Sequence, residues 1–145
     1  MKTIGILVFD DVEELDFVGP LEVFGMAARH GADCRIVLIG VERKEVRSRY
    51  GLRVQPDAAI DEAPQLDTLI VPGGLGAATT HHNSLQLLRE SPNVDVREGS
   101  RFIIHERVAT SAGVSAGIDL ALALVTKWWG PSLASTVAVN LEWKM

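Results

Sequence analysis

The sequence predicts one α/β domain in which helices flank a mainly parallel sheet. Three short, continuously apolar runs predict strands buried on both faces of such a sheet: Ile4–Phe9, Cys34–Ile39 and Leu66–Val71. Helical patterns lie between and after these runs, and this alternation is typical of a layered α/β fold. With 145 residues, of which 47% are hydrophobic, the chain is long enough to bury one core without disulfides or metals.

The first helix is predicted to begin late in the segment that follows the first strand. Asp11 and Glu14 have the spacing of a capping box, and Gly19-Pro20 then restarts the chain with proline at a first helical position. Apolar residues at helical spacing follow. We therefore predict a helix over Leu21–His30.

The rest of the chain alternates between hairpins and helices. Two hairpins are predicted, one from Glu42–Arg47 with Tyr50–Val54, and one from Phe102–Ile104 with Val108–Thr110. Three helices are predicted, over Leu85–Glu90, over Val114–Trp129 and from Ser132 to about Trp143. The middle one of these is apolar on nearly every side, so we expect it to be deeply packed.

The charge balance and the single cysteine exclude several classes of function. Lys and Arg total 14 against 19 Asp and Glu, a net charge of −5, which disfavours nucleic acid or an anionic membrane as a partner. The first apolar run is too short to span a membrane and lacks the small residues of a signal-peptide cleavage site. Cys34 alone can form neither an internal disulfide nor a zinc site. We expect a cytoplasmic protein with no metal and no cofactor.

Four motifs resemble, in the same order, those of the ThiJ/PfpI family, which belongs to the class I glutamine-amidotransferase-like superfamily. They are residues 16–24 (DFVGPLEVF) after the first strand, 69–74 (LIVPGG), 78–81 (ATTH) and 112–119 (AGVSAGID). The nearest branch resembles the isonitrile hydratases and the input domains of AraC-type transcription regulators. The resemblance implies a flavodoxin-like three-layer sandwich that forms dimers.

The resemblance also implies an internal deletion. In the family, several tens of residues separate the Pro-Gly-Gly turn from the ATTH segment, and they supply a helix, a central strand ending in a cysteine nucleophile elbow, and another helix. Here only Leu75, Gly76 and Ala77 intervene, and no cysteine follows Gly74. We therefore interpret residues 1–145 as a single domain that is internally deleted between Gly76 and Ala78.

Four residues match functional positions of the family: Asp16, Gly73, Gly74 and His81. In the family the acidic residue faces the nucleophile, the glycine turn points backbone N–H groups at an oxyanion, and the histidine lies near the nucleophile. Each also has a purely structural interpretation, as a helix-start carboxylate, a strand-ending turn and a loop histidine. The sequence leaves both interpretations open.

The cysteine and the tryptophans are interpreted as packing residues. Cys34 lies on the second predicted strand and does not match the family's nucleophile, and a lone cysteine in such a strand is usually a small core residue. Trp128, Trp129 and Trp143 could stack on a ligand, but on terminal helices they more often pack or contact another subunit.

Three functions follow from these observations. The first is an isonitrile hydratase-like lyase, which hydrates an isonitrile to an N-substituted formamide and is expected to be catalytically impaired without its cysteine. The second is a non-catalytic domain that binds a small molecule through Asp16 and His81, related to the input domains of AraC-type regulators. The third is a decayed copy without activity.

The deletion also predicts self-association. Loss of a central strand and its covering helices would leave an unpaired strand edge and uncovered apolar faces, both of which favour pairing with another chain. We expect a homodimer or a larger assembly. The predicted contact surfaces are Leu66–Val71 and the aromatic end of the Val114–Trp129 helix.

Overall fold

The computed structural model describes residues 1–73, 99–105 and 108–144. In chain order the elements are β1 (Lys2–Val8), α1 (Glu14–Arg29), β2 (Cys34–Gly40), β3 (Val46–Arg47), β4 (Arg53–Val54), β5 (Ala58–Ala59), β6 (Thr68–Ile70), β7 (Phe102–His105), β8 (Val108–Ser111), α2 (Ala116–Trp129) and α3 (Pro131–Asn140).

The central sheet of the described residues has four parallel strands in the order β5-β2-β1-β6. β1 pairs with β2 along its whole length and with β6 over residues 4–6. The three predicted strands each overlap an observed one, so the mainly parallel α/β fold is confirmed. The two-residue strand β5 was not predicted, because a pair of alanines carries no strand periodicity.

The hairpins and the last two helices lie where the sequence places them. β3 pairs antiparallel with β4, and β7 pairs antiparallel with β8. α2 begins two residues later than predicted, and α3 ends at Asn140 rather than near Trp143. The predicted helix over Leu85–Glu90 lies outside the described residues.

The predicted start of the first helix at Leu21 was wrong. α1 begins at Glu14 and continues through Gly19 and Pro20 without a break. Close packing against α2 explains this, because a Cβ atom on Gly19 would lie 2.9 Å from Cγ1 of Ile118. The glycine and the buried proline therefore let two helices approach closely, and this contact offsets the backbone hydrogen bond that proline cannot make.

The expected capping box was also wrong. Asp11 has a φ of 64° and lies in the turn before the helix, while the N-cap residue is Glu13, whose side chain makes no capping hydrogen bond. The Glu14 side chain instead bonds to the β3–β4 hairpin, 34 residues away in sequence. A long-range contact has replaced the local one that the spacing suggested.

The main core lies between the sheet and the three described helices. Ile4 of β1, Phe24 of α1, Val125 of α2 and Val137 of α3 are all 0% exposed and belong to one cluster. A second cluster joins the end of β1 and the start of α1 to the β3–β4 hairpin, through Val8 and other residues. The second cluster therefore anchors the hairpin beside the carboxyl end of the sheet. No helix in the described part of the chain is both long and apolar enough to cross a membrane.

Candidate functional site

The candidate site lies at the carboxyl end of the sheet, between β1 and β6. β2 lies beside one edge of β1 in the sheet, and β6, which comes later in the chain, lies beside the other edge of β1. The loops that follow these two strands therefore leave the sheet at its topological switch point, where open parallel sheets carry a crevice. In open parallel sheets, ligands bind at such a point.

Asp16 and Gly73 meet in this crevice. The Gly73 N–H donates to Oδ2 of Asp16 at 2.9 Å, and the Glu13 N–H donates to the Gly73 carbonyl oxygen at 3.1 Å. Both backbone polar groups of Gly73 are therefore bound by the start of α1. Asp16 also lies in the first turn of that helix, where the helix dipole favours a carboxylate. The structural interpretation therefore applies to it, and its role in a site stays a prediction.

The hydrogen bond between Asp16 and Gly73 bears on the glycine turn. A backbone N–H that donates to a carboxylate is not at the same time a donor to a reaction oxyanion. The expected oxyanion donors were Gly73 and Gly74, and Gly74 lies outside the described residues together with His81. The Gly73 N–H is already bound to Asp16.

Glu13 is a second carboxyl group beside Asp16, and the sequence interpretation missed it. Its side chain is 15% exposed, and its Oε2 lies 3.8 Å from the Arg49 guanidinium. Burial is the largest influence on Glu13 and raises its pKa; the neighbouring charges of Asp16 and Glu14 add to the rise, and Arg49 opposes it. The net pKa is raised, so Glu13 holds its proton more readily than an ordinary glutamic acid.

Glu14 joins the site to the hairpin. Its Oε1 accepts a hydrogen bond from the Ser48 hydroxyl at 2.5 Å and another from the Tyr50 N–H at 2.6 Å. Burial alone would raise the pKa of Glu14, but these hydrogen bonds outweigh it and the net pKa is lowered. The two neighbouring carboxyl groups therefore have pKa values shifted in opposite directions, and Glu14 loses its proton more readily than Glu13.

A sequence signal for Glu13 and Glu14 was available. Together with Asp16 they place three carboxylates within four residues, directly after a buried strand. Such spacing gives carboxylates with different surroundings, because successive residues of a helix start point in different directions. No comparable local signal existed for Arg49, which reaches the site through the fold of the hairpin.

Cys34 lies in the core and not in the crevice. It is the first residue of β2, at the amino end of the sheet, opposite the carboxyl end that carries Asp16. Its Sγ is 4.0 Å from the Phe24 carbonyl oxygen, and burial, with a smaller effect of Asp33, raises the pKa of its thiol. A thiol with a raised pKa is a poor nucleophile, which agrees with its interpretation as a core residue.

The three tryptophans pack within the chain. Trp128 stacks on Phe24 with ring centroids 5.9 Å apart, and Trp129 packs edge-on against Trp128. The Trp143 indole N–H donates to Oδ1 of Asp119 at 2.8 Å. Arg101 bonds to the other oxygen of Asp119. The last motif of the sequence, residues 112–119, therefore ends in a residue that fixes the end of the chain.

An open surface depression beside the first turn of α1 offers room for a ligand. It is lined by Leu15, Arg101 and residues 112–116, so the motif of residues 112–119 contributes to it. Among the described residues, no group of three His, Cys, Asp or Glu side chains is placed to hold a metal ion.

The parallel sheet, the flanking helices and a carboxylate at the carboxyl end of the central strand define a flavodoxin-like α/β protein with a crevice site. The model of the DJ-1/PfpI family matches residues 2–91. The chain belongs to the DJ-1/PfpI family, as its motifs indicated.

One curated relative aligns with nearly the whole chain. It is the isonitrile hydratase of Pseudomonas putida, 28% identical over 188 aligned positions that cover 97% of this chain and 78% of the relative. The chain has only 145 residues, so at least 43 of those positions (188 minus 145) have no counterpart in it. The chain is therefore shorter than the aligned part of this relative, and the internal deletion between Gly76 and Ala78 stays a prediction.

Solved structures share the fold. Oxidized DJ-1 from Toxoplasma gondii superposes with a TM-score of 0.81 at 22% identity and covers 100% of both chains. An AraC family transcriptional regulator from Pseudomonas putida superposes with a TM-score of 0.83 at 17% identity, covering 97% of this chain and 100% of the other. At these identities the likeness establishes the fold alone.

Proposed function

We propose that the protein is an isonitrile hydratase-like member of the family that keeps a carboxylate site for a small ligand but lacks the thiol chemistry. The observation that carries this proposal is the placement of Asp16 against Gly73, at the crevice between β1 and β6, in a chain whose one cysteine lies elsewhere. The alignment with isonitrile hydratase along 97% of the chain supports the choice of ligand class.

The chemistry of the reaction explains why a carboxylate is suited to this site. Hydration adds the oxygen of water to the isonitrile carbon and places the two hydrogens on that carbon and on nitrogen, which gives an N-substituted formamide. A carboxylate can orient the water and accept its proton in such a step. Asp16, held by the Gly73 N–H, supplies this group, and Glu13 supplies a second carboxyl beside it.

The chain has one thiol, that of Cys34, for the covalent part of such a mechanism. A nucleophilic thiol must be ionised and must reach the ligand. Cys34 meets neither condition, because its thiol has a raised pKa and lies at the opposite end of the sheet. Ligand binding without turnover is therefore the expected behaviour.

We expect the purified chain to bind a simple alkyl isonitrile such as cyclohexyl isonitrile without thiol-dependent hydration. Formamide production should equal that of the Cys34→Ser variant and of a buffer control. Binding, followed by calorimetry, should weaken about tenfold or more in Asp16→Asn, because hydrogen bonds to charged groups contribute about 1.5–3 kcal/mol. Asp67→Asn is the matched control, since Asp67 also accepts a backbone N–H, from Thr3, but at the other end of the sheet.

Two outcomes would contradict the proposal. Formamide production that disappears in Cys34→Ser would show that Cys34 reaches the ligand and that the chain is a working hydratase. Equal binding by Asp16→Asn and by Asp67→Asn would remove Asp16 from the site.

The second candidate is a binding domain for another kind of small molecule, as in a transcription regulator. The bond between Asp16 and the Gly73 N–H favours it, because a turn whose donor is bound to a carboxylate suits recognition better than oxyanion stabilisation. A screen of small metabolites by thermal shift, with Asp16→Asn as reference, distinguishes this candidate from isonitrile binding.

We also propose that the chain self-associates through β6. Leu69 and Val71 are 46% and 61% exposed. Within the described residues, β6 pairs with β1 along one edge and with no strand along the other. An exposed apolar strand edge is a template for pairing with another chain. We further propose a cytoplasmic location, because a single cysteine without a disulfide partner is typical of a reducing compartment.

Light scattering coupled to size exclusion over a dilution series should show a dimer or a larger species. Val71→Lys should shift the distribution toward monomer, because a charged side chain on a strand edge opposes pairing. Val139→Lys is the matched control, since Val139 is 72% exposed on α3, far along the chain from β6. A monomer at all concentrations, or an equal effect of both variants, would contradict self-association through β6.

A further inference from the structure

We propose that Glu14 is a positioning residue, which holds the loop of residues 48–52 on the start of α1 and thereby sets how closely Arg49 approaches Glu13. The inference concerns the site of the proposed function and rests on that function only for the importance of Glu13. Through this loop, the hairpin determines the charge present beside Asp16.

The loop is attached to the start of α1 by a compact set of contacts. Glu14 accepts hydrogen bonds from the Ser48 hydroxyl and the Tyr50 N–H, and the Arg49 N–H donates to the Val12 carbonyl oxygen at 3.0 Å. Ser48 is 3% exposed, so its hydroxyl is fixed by packing as well as by Glu14. The residues on both sides of Arg49 are thus bound to Glu14, and Arg49 itself is bound to the segment just before α1.

The Glu14 carboxylate makes these bonds with one oxygen. Oε1 accepts both, whereas Oε2 is buried and has no hydrogen-bond partner among the described residues. A buried carboxylate oxygen without a donor is costly. The two hydrogen bonds to Oε1 offset this cost and fix the loop.

The anchored loop brings the Arg49 guanidinium to the site. Its contact with Glu13 is long, at 3.8 Å, and the Arg49 side chain is 47% exposed. The geometry of a long, half-exposed ion pair depends on the position of the backbone that carries it, because the attraction within such a pair contributes little free energy. The position of Arg49 therefore follows from its own backbone bond to Val12 and from the bonds of its neighbours Ser48 and Tyr50 to Glu14.

The charged groups that face Glu13 determine the consequence. They are Asp16 and Glu14 on α1 and Arg49 on the loop, while Gly73 contributes a backbone carbonyl oxygen to the Glu13 N–H. The two carboxylates and burial favour protonated Glu13, and Arg49 alone among these groups favours its ionised form. Loosening the loop removes the one attraction and should favour the protonated form.

The test is the titration of the Glu13 side chain by carbon-13 NMR, which needs no ligand and no activity. Arg49→Met should raise the Glu13 pKa, and Ser48→Ala should raise it in the same direction by a smaller amount. In the double variant, Ser48→Ala should add nothing to Arg49→Met, because both act through the same guanidinium. Arg53→Met is the matched control and should leave Glu13 unchanged, since Arg53 pairs with Glu45 on the same hairpin.

A second variant keeps the proposal testable if Ser48→Ala does not fold. Glu14→Asp keeps the negative charge and withdraws the carboxylate by one methylene, and it should also raise the Glu13 pKa. An unchanged Glu13 pKa in folded Ser48→Ala or Glu14→Asp would overturn the proposal, as would additive effects in the double variant. None of these results depends on isonitrile binding. The positioning role can therefore fail while the proposed function stands, and the proposed function can fail while the positioning role stands.

Discussion

Phe24→Ala should lower the free energy of unfolding by about 3–5 kcal/mol, the range for removing a large aromatic side chain from a core. Phe24 is 0% exposed, stacks on Trp128 and lies in the cluster that joins the sheet to all three described helices. Its removal leaves a cavity that the surrounding helices can only partly fill. Because a domain of this size is stable by about 5–15 kcal/mol in total, the variant should be close to unfolding.

Urea denaturation followed by circular dichroism measures this loss. Phe24→Leu, which keeps most of the volume, should lose much less, and Tyr50→Ala should lose about 0.5 kcal/mol or less, since Tyr50 is 75% exposed and keeps its backbone N–H. If Phe24→Ala were no less stable than Tyr50→Ala, the cluster would not be the main core.

Asp119→Ala should lower the free energy of unfolding by about 1.5–3 kcal/mol, the value of hydrogen bonds to a charged group. The Asp119 side chain is 18% exposed, and its two oxygens bind Arg101 and the indole N–H of Trp143. It also lies in the first turn of α2, where the helix dipole favours a negative charge. Alanine would leave the Trp143 N–H without its acceptor.

Asp33→Ala is the control for Asp119→Ala. Asp33 forms an ion pair of 2.7 Å with the N-terminal amine, but its side chain is 75% exposed, and exposed pairs contribute about 0–1 kcal/mol. Urea denaturation should therefore separate the two variants, with Asp119→Ala clearly the less stable. Equal losses would mean that Asp119 behaves as an ordinary surface charge and does not hold the end of the chain.

Local patterns in the sequence were sufficient for three of the four described strands of the central sheet, for both hairpins and for the α2 and α3 helices. Each is signalled by residues close together in the chain, such as the apolar run of Ile4–Phe9 or Pro131 at the first position of α3. The sequence also indicated the family, which the comparison confirms. The internal deletion and the role of Asp16 stay predictions. The sequence alone shows that Cys34 is the single cysteine. Because Cys34 lies on the second predicted strand, it does not match the position of the family's nucleophile.

The tertiary structure decided the features that depend on distant residues. α1 runs through Pro20 because Ile118 packs on Gly19, and Asp16 bonds to Gly73, 57 positions away. The Glu14 side chain does not cap its own helix but accepts a hydrogen bond from the Tyr50 N–H, 36 positions away. A capping pattern or a proline expresses a preference of about 1–3 kcal/mol, and close packing or a buried charged hydrogen bond can outweigh it. Sequence periodicity therefore determined which elements form, whereas the packing of those elements determined where α1 begins and what its three carboxylates bind.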